Sequence, residues 1–154
     1  MKKLSYILGP VLVAFSLNAF AADAMGTEDE AKAMSEKAAA EVDKSGEAAF
    51  ETFKKADGGF QDKDLYVFCM DLEGKMLSHP KKPELVGQNL LDFDKYGDKL
   101  FKNMVDTAKS AEGKGWVSYK WPYPGTEELK DKKSYVIKNT KGFLCGVGAY
   151  AQAK

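Results

Sequence analysis

The hydrophobic pattern of this chain switches between helical and strand periods, and the switches mark its elements. Ala31, Met34, Ala38 and Val42, then Ala49, Phe50 and Phe53, recur at helical spacing. Ahead of them Thr27-Glu28-Asp29-Glu30 has the spacing of a capping box with acidic residues in the first turn, so a helix is expected to begin near Glu28. Lys44-Ser45-Gly46 predicts a kink or break, and Asp57-Gly58-Gly59 the end of this lead helix, which spans about residues 28–57. Its alanine-rich first half has little to bury. It either packs against a second copy, giving a homodimer, or lies along its own domain.

Strand patterning takes over at Leu65 to Met70, with Asp71-Leu72-Glu73-Gly74 as a turn and Lys75 to Ser78 as the return of a hairpin. Pro80 to Tyr96 holds prolines, Gly87 and several Asp and Asn residues and reads as a structured loop. Leu100, Phe101, Met104, Val105 and Ala108 then share the buried side of a helix from about Gly97 to Ala111. Next comes a strand on which Val117, Tyr119, Trp121 and Tyr123 fall on one face, stopped by Pro122 and Pro124. Thr126 to Asp131 reads as a turn, Lys133 to Asn139 as a strand, and Phe143 to Tyr150 as the last strand. The order predicts an α+β domain, with a sheet-bearing core over about residues 60–151.

Aromatics with polar tips along one strand face suit the wall of a pocket for a partly polar ligand, or simply a packed sheet face. Their company is informative. The run from Trp116 to Gly125, then Lys133-Ser134-Tyr135, Tyr66-Val67-Phe68 leading to Asp71, Gly74, His79-Pro80, Gly87-Gln88-Asn89 and Gly146-Val147-Gly148-Ala149-Tyr150 together resemble the single Cache domain. That is the PAS-like extracellular sensor module of chemoreceptors and histidine kinases. The resemblance implies a long N-terminal helix, an antiparallel sheet of about five strands with a helix-bearing crossover, and a pocket on one sheet face for small organic ligands, often short carboxylates.

At the N-terminus, Met1-Lys2-Lys3, the apolar stretch Leu4 to Leu17 and Ala19-Phe20-Ala21 have the form of a secretory signal peptide over residues 1–22. The expected mature protein is one domain, residues 23–154, periplasmic or secreted. Loss of Lys2 and Lys3 tips the balance of 23 basic and 23 acidic side chains slightly to the acidic side, which argues against nucleic acid as a partner. Every basic residue is a lysine. A buried anion must therefore meet lysine, histidine, hydroxyls or backbone amides, because bidentate arginine recognition is excluded.

Cys69 and Cys145 lie in strand-like runs of an exported chain, either as a disulfide or as two buried thiols. In the fold that the resemblance implies, the first and last strands are neighbours, which would bring the pair together. A single histidine makes a conventional zinc site unexpected, and no metal or cofactor is anticipated. His79 is read either as a donor to a ligand carboxylate at the pocket rim or as a residue that orders the loop after it.

Lys133 and Tyr135 share a strand face. If that face also bears Tyr119 and Trp121, an ammonium and two phenols converge in an apolar enclosure; otherwise Lys133 is surface, like Lys130 and Lys132 beside it. Gly146 and Gly148 read as close-packing positions beneath the pocket. No nucleophile with an orienting partner stands out, so the expectation is a binding protein and not an enzyme. The resemblance implies a sensory module for a small organic acid, signalling to a membrane receptor or kinase. The alternative is a structural or assembly subunit of the same fold with a filled core.

Overall fold

The computed structural model describes residues 25–152. The expected signal peptide lies outside the described residues. Helix α1 runs from Glu28 to Ser45 and opens with the capping box: Thr27 Oγ1 accepts from Glu30 N–H while the Glu30 carboxylate accepts from Thr27 N–H at 2.9 Å. Gly46, at φ 61°, breaks the helix into a short 3-10 turn, and α2 (Ala49–Lys54) follows. The strands are β1 (Gln61–Asp62), β2 (Leu65–Asp71), β3 (Met76–Ser78), β4 (Lys114–Pro122), β5 (Leu129–Lys138) and β6 (Phe143–Tyr150), with α3 (Leu100–Lys109) between β3 and β4.

All pairings are antiparallel, in the order β1-β2-β6-β5-β4, with β3 also on β2. The first long strand and the last are therefore neighbours. Six strands replace the expected five because two-residue β1 turns back onto the start of β2. In addition, β5 starts at Leu129, four residues before the predicted Lys133. Its opening residues Leu129-Lys130-Asp131-Lys132 are too polar to look like a strand, yet they pair in register with Pro122, Trp121, Lys120 and Tyr119 of β4.

The sheet is covered on both faces. Ala31, Ser35, Ala38 and Val42 of α1 and Phe50 and Phe53 of α2 pack over Leu65, Val67, Cys69, Phe143, Cys145 and Val147. Small side chains let the α1 backbone approach closely. Ser35 takes advantage of this: its Oγ donates to Tyr135 C=O at 2.7 Å and accepts from Val147 N–H at 2.9 Å, joining the helix to the sheet. The apolar stripe of α1 thus lies on its own domain. On the opposite face α3 and the long loop after His79 cover Phe68, Met70, Val117, Tyr119, Trp121, Val136, Leu144 and Tyr150. With both faces buried, β2 and β6 are apolar almost throughout and lack the alternation of a half-exposed strand. Cys69 and Cys145 stand directly opposite each other on the α1 face and are joined by a disulfide.

Candidate functional site

The β4–β5–β6 register decides which side chains meet. Tyr119 stands opposite Lys132, and Lys132 opposite Tyr150, so these three form a row on the α3 face. Ser134 and Gly148 continue that face one position along. Tyr66 and Phe68 of β2 and His79, just after β3, complete the wall: the His79 ring lies 5.1 Å from Tyr66, 6.2 Å from Phe68 and 6.0 Å from Trp121. Phe93 and Tyr96 of the long loop close over Trp121, with ring centroids 6.2 and 5.4 Å away.

Lys132 is the only cation inside this enclosure among the described residues, and its residue exposure is 2%. Its Nζ donates to Tyr66 Oη at 2.9 Å and sits 4.1 Å from the centre of the Tyr66 ring and 4.3 Å from that of Tyr150. It forms no ion pair with any described residue. Burial lowers its pKa from 10.5 to about 7, outweighing the charge of Asp64, which acts in the opposite direction.

Gly148 makes room for this lysine. A Cβ there would overlap Ser134 Oγ and stand 2.6 Å from Lys132 Cε. The bare position expected beneath the pocket is thus the floor on which the lysine stem lies. Gly146 plays the same part for Phe68 and Val136.

The phenols are held in place. Tyr119 Oη shares a hydrogen bond of 2.6 Å with Ser134 Oγ, and Tyr150 Oη donates to Pro122 C=O at 2.8 Å. Burial raises the pKa of Tyr66, Tyr119 and Tyr150, so all three remain hydroxyl donors. His79 Nδ1 accepts from Lys82 N–H at 3.0 Å, which leaves the ring proton on Nε2. Burial, and then the charges of Lys132 and Lys82, push the His79 pKa down to about 3. It is a neutral imidazole. Both roles considered for it are compatible with this geometry, since Nδ1 orders the loop while the ring lines the pocket.

Of the residues expected to form the site, the structure brings together His79, Tyr119 and Trp121. Lys133 and Tyr135 are on the other face. Lys133 stands opposite Ser118 and Ala149, its side chain is 42% exposed, and its Nζ pairs with Glu28 at 2.9 Å. Tyr135 packs on Trp116 beneath α1 with ring centroids 5.0 Å apart. The correction is one of register: the face of Tyr119 and Trp121 continues through Lys132 and Ser134. Lys132, read as surface, is buried. Tyr66, Lys132, Ser134 and Tyr150, which the sequence reading did not place with Tyr119 and Trp121, belong to the same cluster. The available hint was the pair of glycines at 146 and 148, whose missing side chains imply large ones lying over them.

Two spaces adjoin these residues. Beside Phe68, His79, Leu100, Phe101, Met104, Tyr119 and Trp121 lies a cavity of about 10 Å³. A larger open groove of about 340 Å³ is lined by Glu28, Asp98, Ser118, Lys120, Asp131 and Lys133 together with atoms of the Tyr119–Lys132–Tyr150 row. Its exposed cations are already paired, Lys133 with Glu28 and Lys120 with Asp131 at 2.8 Å. Lys132 lines this groove too, buried at its floor and without an ion pair among the described residues.

The Cache domain family matches residues 22–153, nearly the whole chain. This chain is a Cache domain. Over 90 residues it is 38% identical to the sensor histidine kinase MctS of Rhizobium johnstonii, an alignment covering 57% of this chain and 19% of that protein. The chain thus spans about a fifth of that curated relative. Among solved structures it resembles a periplasmic sensor domain of a chemotaxis protein, at 32% identity and a TM-score of 0.61, covering 80% of this chain and 90% of that one. It also resembles a Cache chemosensory domain described for carboxylic acid recognition, at 27% identity and a TM-score of 0.68, covering 80% and 92% of the two chains. These similar proteins are sensor domains of chemoreceptors and kinases. Among the described residues no helix is long and apolar enough to cross a membrane.

Proposed function

We propose that this Cache domain is the exported ligand-binding module of a sensory system and binds a small organic acid on the α3 face of its sheet. The observation that carries the reading is Lys132: a lysine enclosed by two tyrosine rings, hydrogen-bonded to a phenol, with no carboxylate paired to it among the described residues. A ligand carboxylate supplies the missing anion, and in so enclosed a place the attraction is far stronger than at the surface. Tyr66 and Tyr119 and the Nε2–H of neutral His79 are the donors suited to its oxygens, while Tyr150, whose proton is held by Pro122 C=O, contributes its ring, and Trp121 and Phe68 form an apolar wall for its carbon end. The likeness to a Cache domain that recognises carboxylic acids supports the same chemistry. Binding is without turnover, because nothing around Lys132 forms a nucleophile with its base. The signal passes to a membrane receptor or kinase, as the kinship with a sensor histidine kinase suggests.

The tightness of the inner cavity favours one other reading, a structural subunit whose core is filled, since about 10 Å³ scarcely admits one water. A thermal-shift screen of the protein against formate, acetate, propionate, pyruvate, lactate, succinate and a set of amino acids separates the two. A ligand at 100 times its dissociation constant adds about 2.7 kcal/mol of stability. The binding reading expects a clear shift with at least one short carboxylate, lost in Lys132→Met. A flat screen with a folded protein would instead support the filled core.

A further inference from the structure

We propose that carboxylate binding at this site is coupled to the uptake of one proton by Lys132, so that above neutral pH the domain responds to the product of carboxylate and proton concentrations. The inference rests on the carboxylate reading and extends it to how the site is regulated. It starts from the empty pocket. Among the described residues Lys132 Nζ touches one polar partner, Tyr66 Oη, and two ring faces. A neutral amine keeps the same 2.9 Å contact by accepting from the phenol, so nothing in the empty site requires the ammonium form.

The groups that face Lys132 do not restore its charge. From β2 comes Tyr66, from β6 Tyr150 and from β4 Tyr119, all held as neutral phenols. From the loop after β3 comes His79, held neutral by burial and by the charges of Lys132 and Lys82. The α3 residues Leu100, Phe101 and Met104, which line the small cavity beside Tyr119, are uncharged. The open groove that Lys132 lines also holds Glu28, Asp98 and Asp131; Glu28 is paired with Lys133 and Asp131 with Lys120. Among the described residues, Asp64, on the turn before β2, is the carboxylate whose field acts on the lysine; its Oδ1 is taken by Gly26 N–H at 2.7 Å, and its Oδ2 is buried without a hydrogen-bond partner. With burial outweighing that field, the amine titrates at about 7.

A bound carboxylate changes the balance, because its negative charge is buried beside the nitrogen and is stable there only against the ammonium. Above neutral pH the step is then R–COO⁻ + H⁺ + Lys132–NH₂ giving R–COO⁻ held by Lys132–NH₃⁺. One N–H bond forms, the proton comes from solvent, and the ligand is unaltered. Below neutral pH the ammonium is already present and the site reads carboxylate concentration alone.

Calorimetric titration of the protein with acetate and with propionate, at about pH 6 and about pH 8.5 in buffers of different ionisation enthalpy, tests the coupling. Proton uptake per bound ligand is expected near zero at the lower pH and near one at the higher. Affinity should fall about tenfold per pH unit above 7, following the linkage between protonation and binding. In protein labelled with ¹³C at lysine Cε, one resonance should titrate near neutral pH in the empty state and move above about pH 9 when saturated with the same probe. Binding at about pH 8.5 with no proton uptake, or lysines that all titrate near 10.4 in the empty protein, overturns the coupling while leaving the carboxylate site standing. If neither probe, nor any other short carboxylate of the thermal-shift screen, binds at about pH 6, where the ammonium is present, the carboxylate reading fails and the coupling falls with it.

Discussion

The two faces of the sheet treat neighbouring residues in opposite ways. On the α1 face Lys133 is open to solvent and paired with Glu28, Ser35 bridges helix and sheet, and a disulfide links the first long strand to the last. On the α3 face Lys132 is buried against tyrosine rings without an ion pair, and three phenols and a neutral imidazole surround it. One face is built from groups that satisfy one another. The other holds a buried lysine with no ion pair among the described residues, at a cost in stability. Structure and binding can therefore be perturbed separately.

The largest effect on stability is expected on the α1 face. Replacing both Cys69 and Cys145 by alanine removes a crosslink between residues 76 apart in sequence. It should destabilise the domain by about 2–5 kcal/mol in denaturant melts. Acetate affinity in the folded variant should stay within about threefold, because the disulfide faces away from Lys132. A large loss of affinity would show that the faces are not independent.

The paired lysines test the comparison from the other side. Lys132→Met should weaken acetate and propionate binding about 100-fold or more by calorimetry. It should also raise the stability of the empty protein at neutral pH by about 1–3 kcal/mol, since the buried cation is gone while most of its apolar bulk remains. Lys133→Met, one residue on, removes only an exposed pair with Glu28 and should change stability by less than about 0.5 kcal/mol and affinity by less than about twofold. Equal losses of affinity in the two variants would sink the assignment of the site to this face.

Gly148→Ala reaches the same lysine through the sheet. The added methyl group overlaps Ser134 Oγ and crowds Lys132 Cε, so thermal melts should show a loss of about 1–3 kcal/mol together with weaker carboxylate binding. Unchanged binding would mean that the lysine stem does not need this floor.

The smallest effect is a pH slope. His79 is held down to about 3 from 6.5, so between those values the unfolded chain binds more protons than the folded one. The stabilising contribution is complete above about pH 6.5 and is lost as pH falls, by about 1 kcal/mol per pH unit once below that point. His79→Phe should flatten this slope in melts taken between pH 6.5 and 5. A slope that survives the substitution would assign it to the carboxylates.

Much of the architecture could be read before any tertiary contact was considered. The Thr27–Glu30 box, the Gly46 break and the end of the strand at Pro122 depend on hydrogen bonds and torsions between near neighbours, which the local residues dictate. The aromatic face of β4 was legible for the same reason, since alternation along a strand is a local property. The site was only half legible. Residues 132, 134 and 136 and residues 133, 135 and 137 each satisfy the period of a strand, and hydrophobicity does not choose between them because both faces are covered. The polar opening of β5 concealed the strand itself.

The chain by itself therefore determined its elements, its all-lysine complement of cations and the presence of an aromatic wall. The three-dimensional structure alone decided that Tyr119 and Tyr150 flank Lys132, that Tyr66, 66 residues away, receives its hydrogen bond, and that Cys69 meets Cys145. The physical reason is that burial and charge depend on what closes over a residue. For Lys132 those groups come from β2, β4 and β6, brought together only by a register that shifts every side chain to the opposite face when it slips by one.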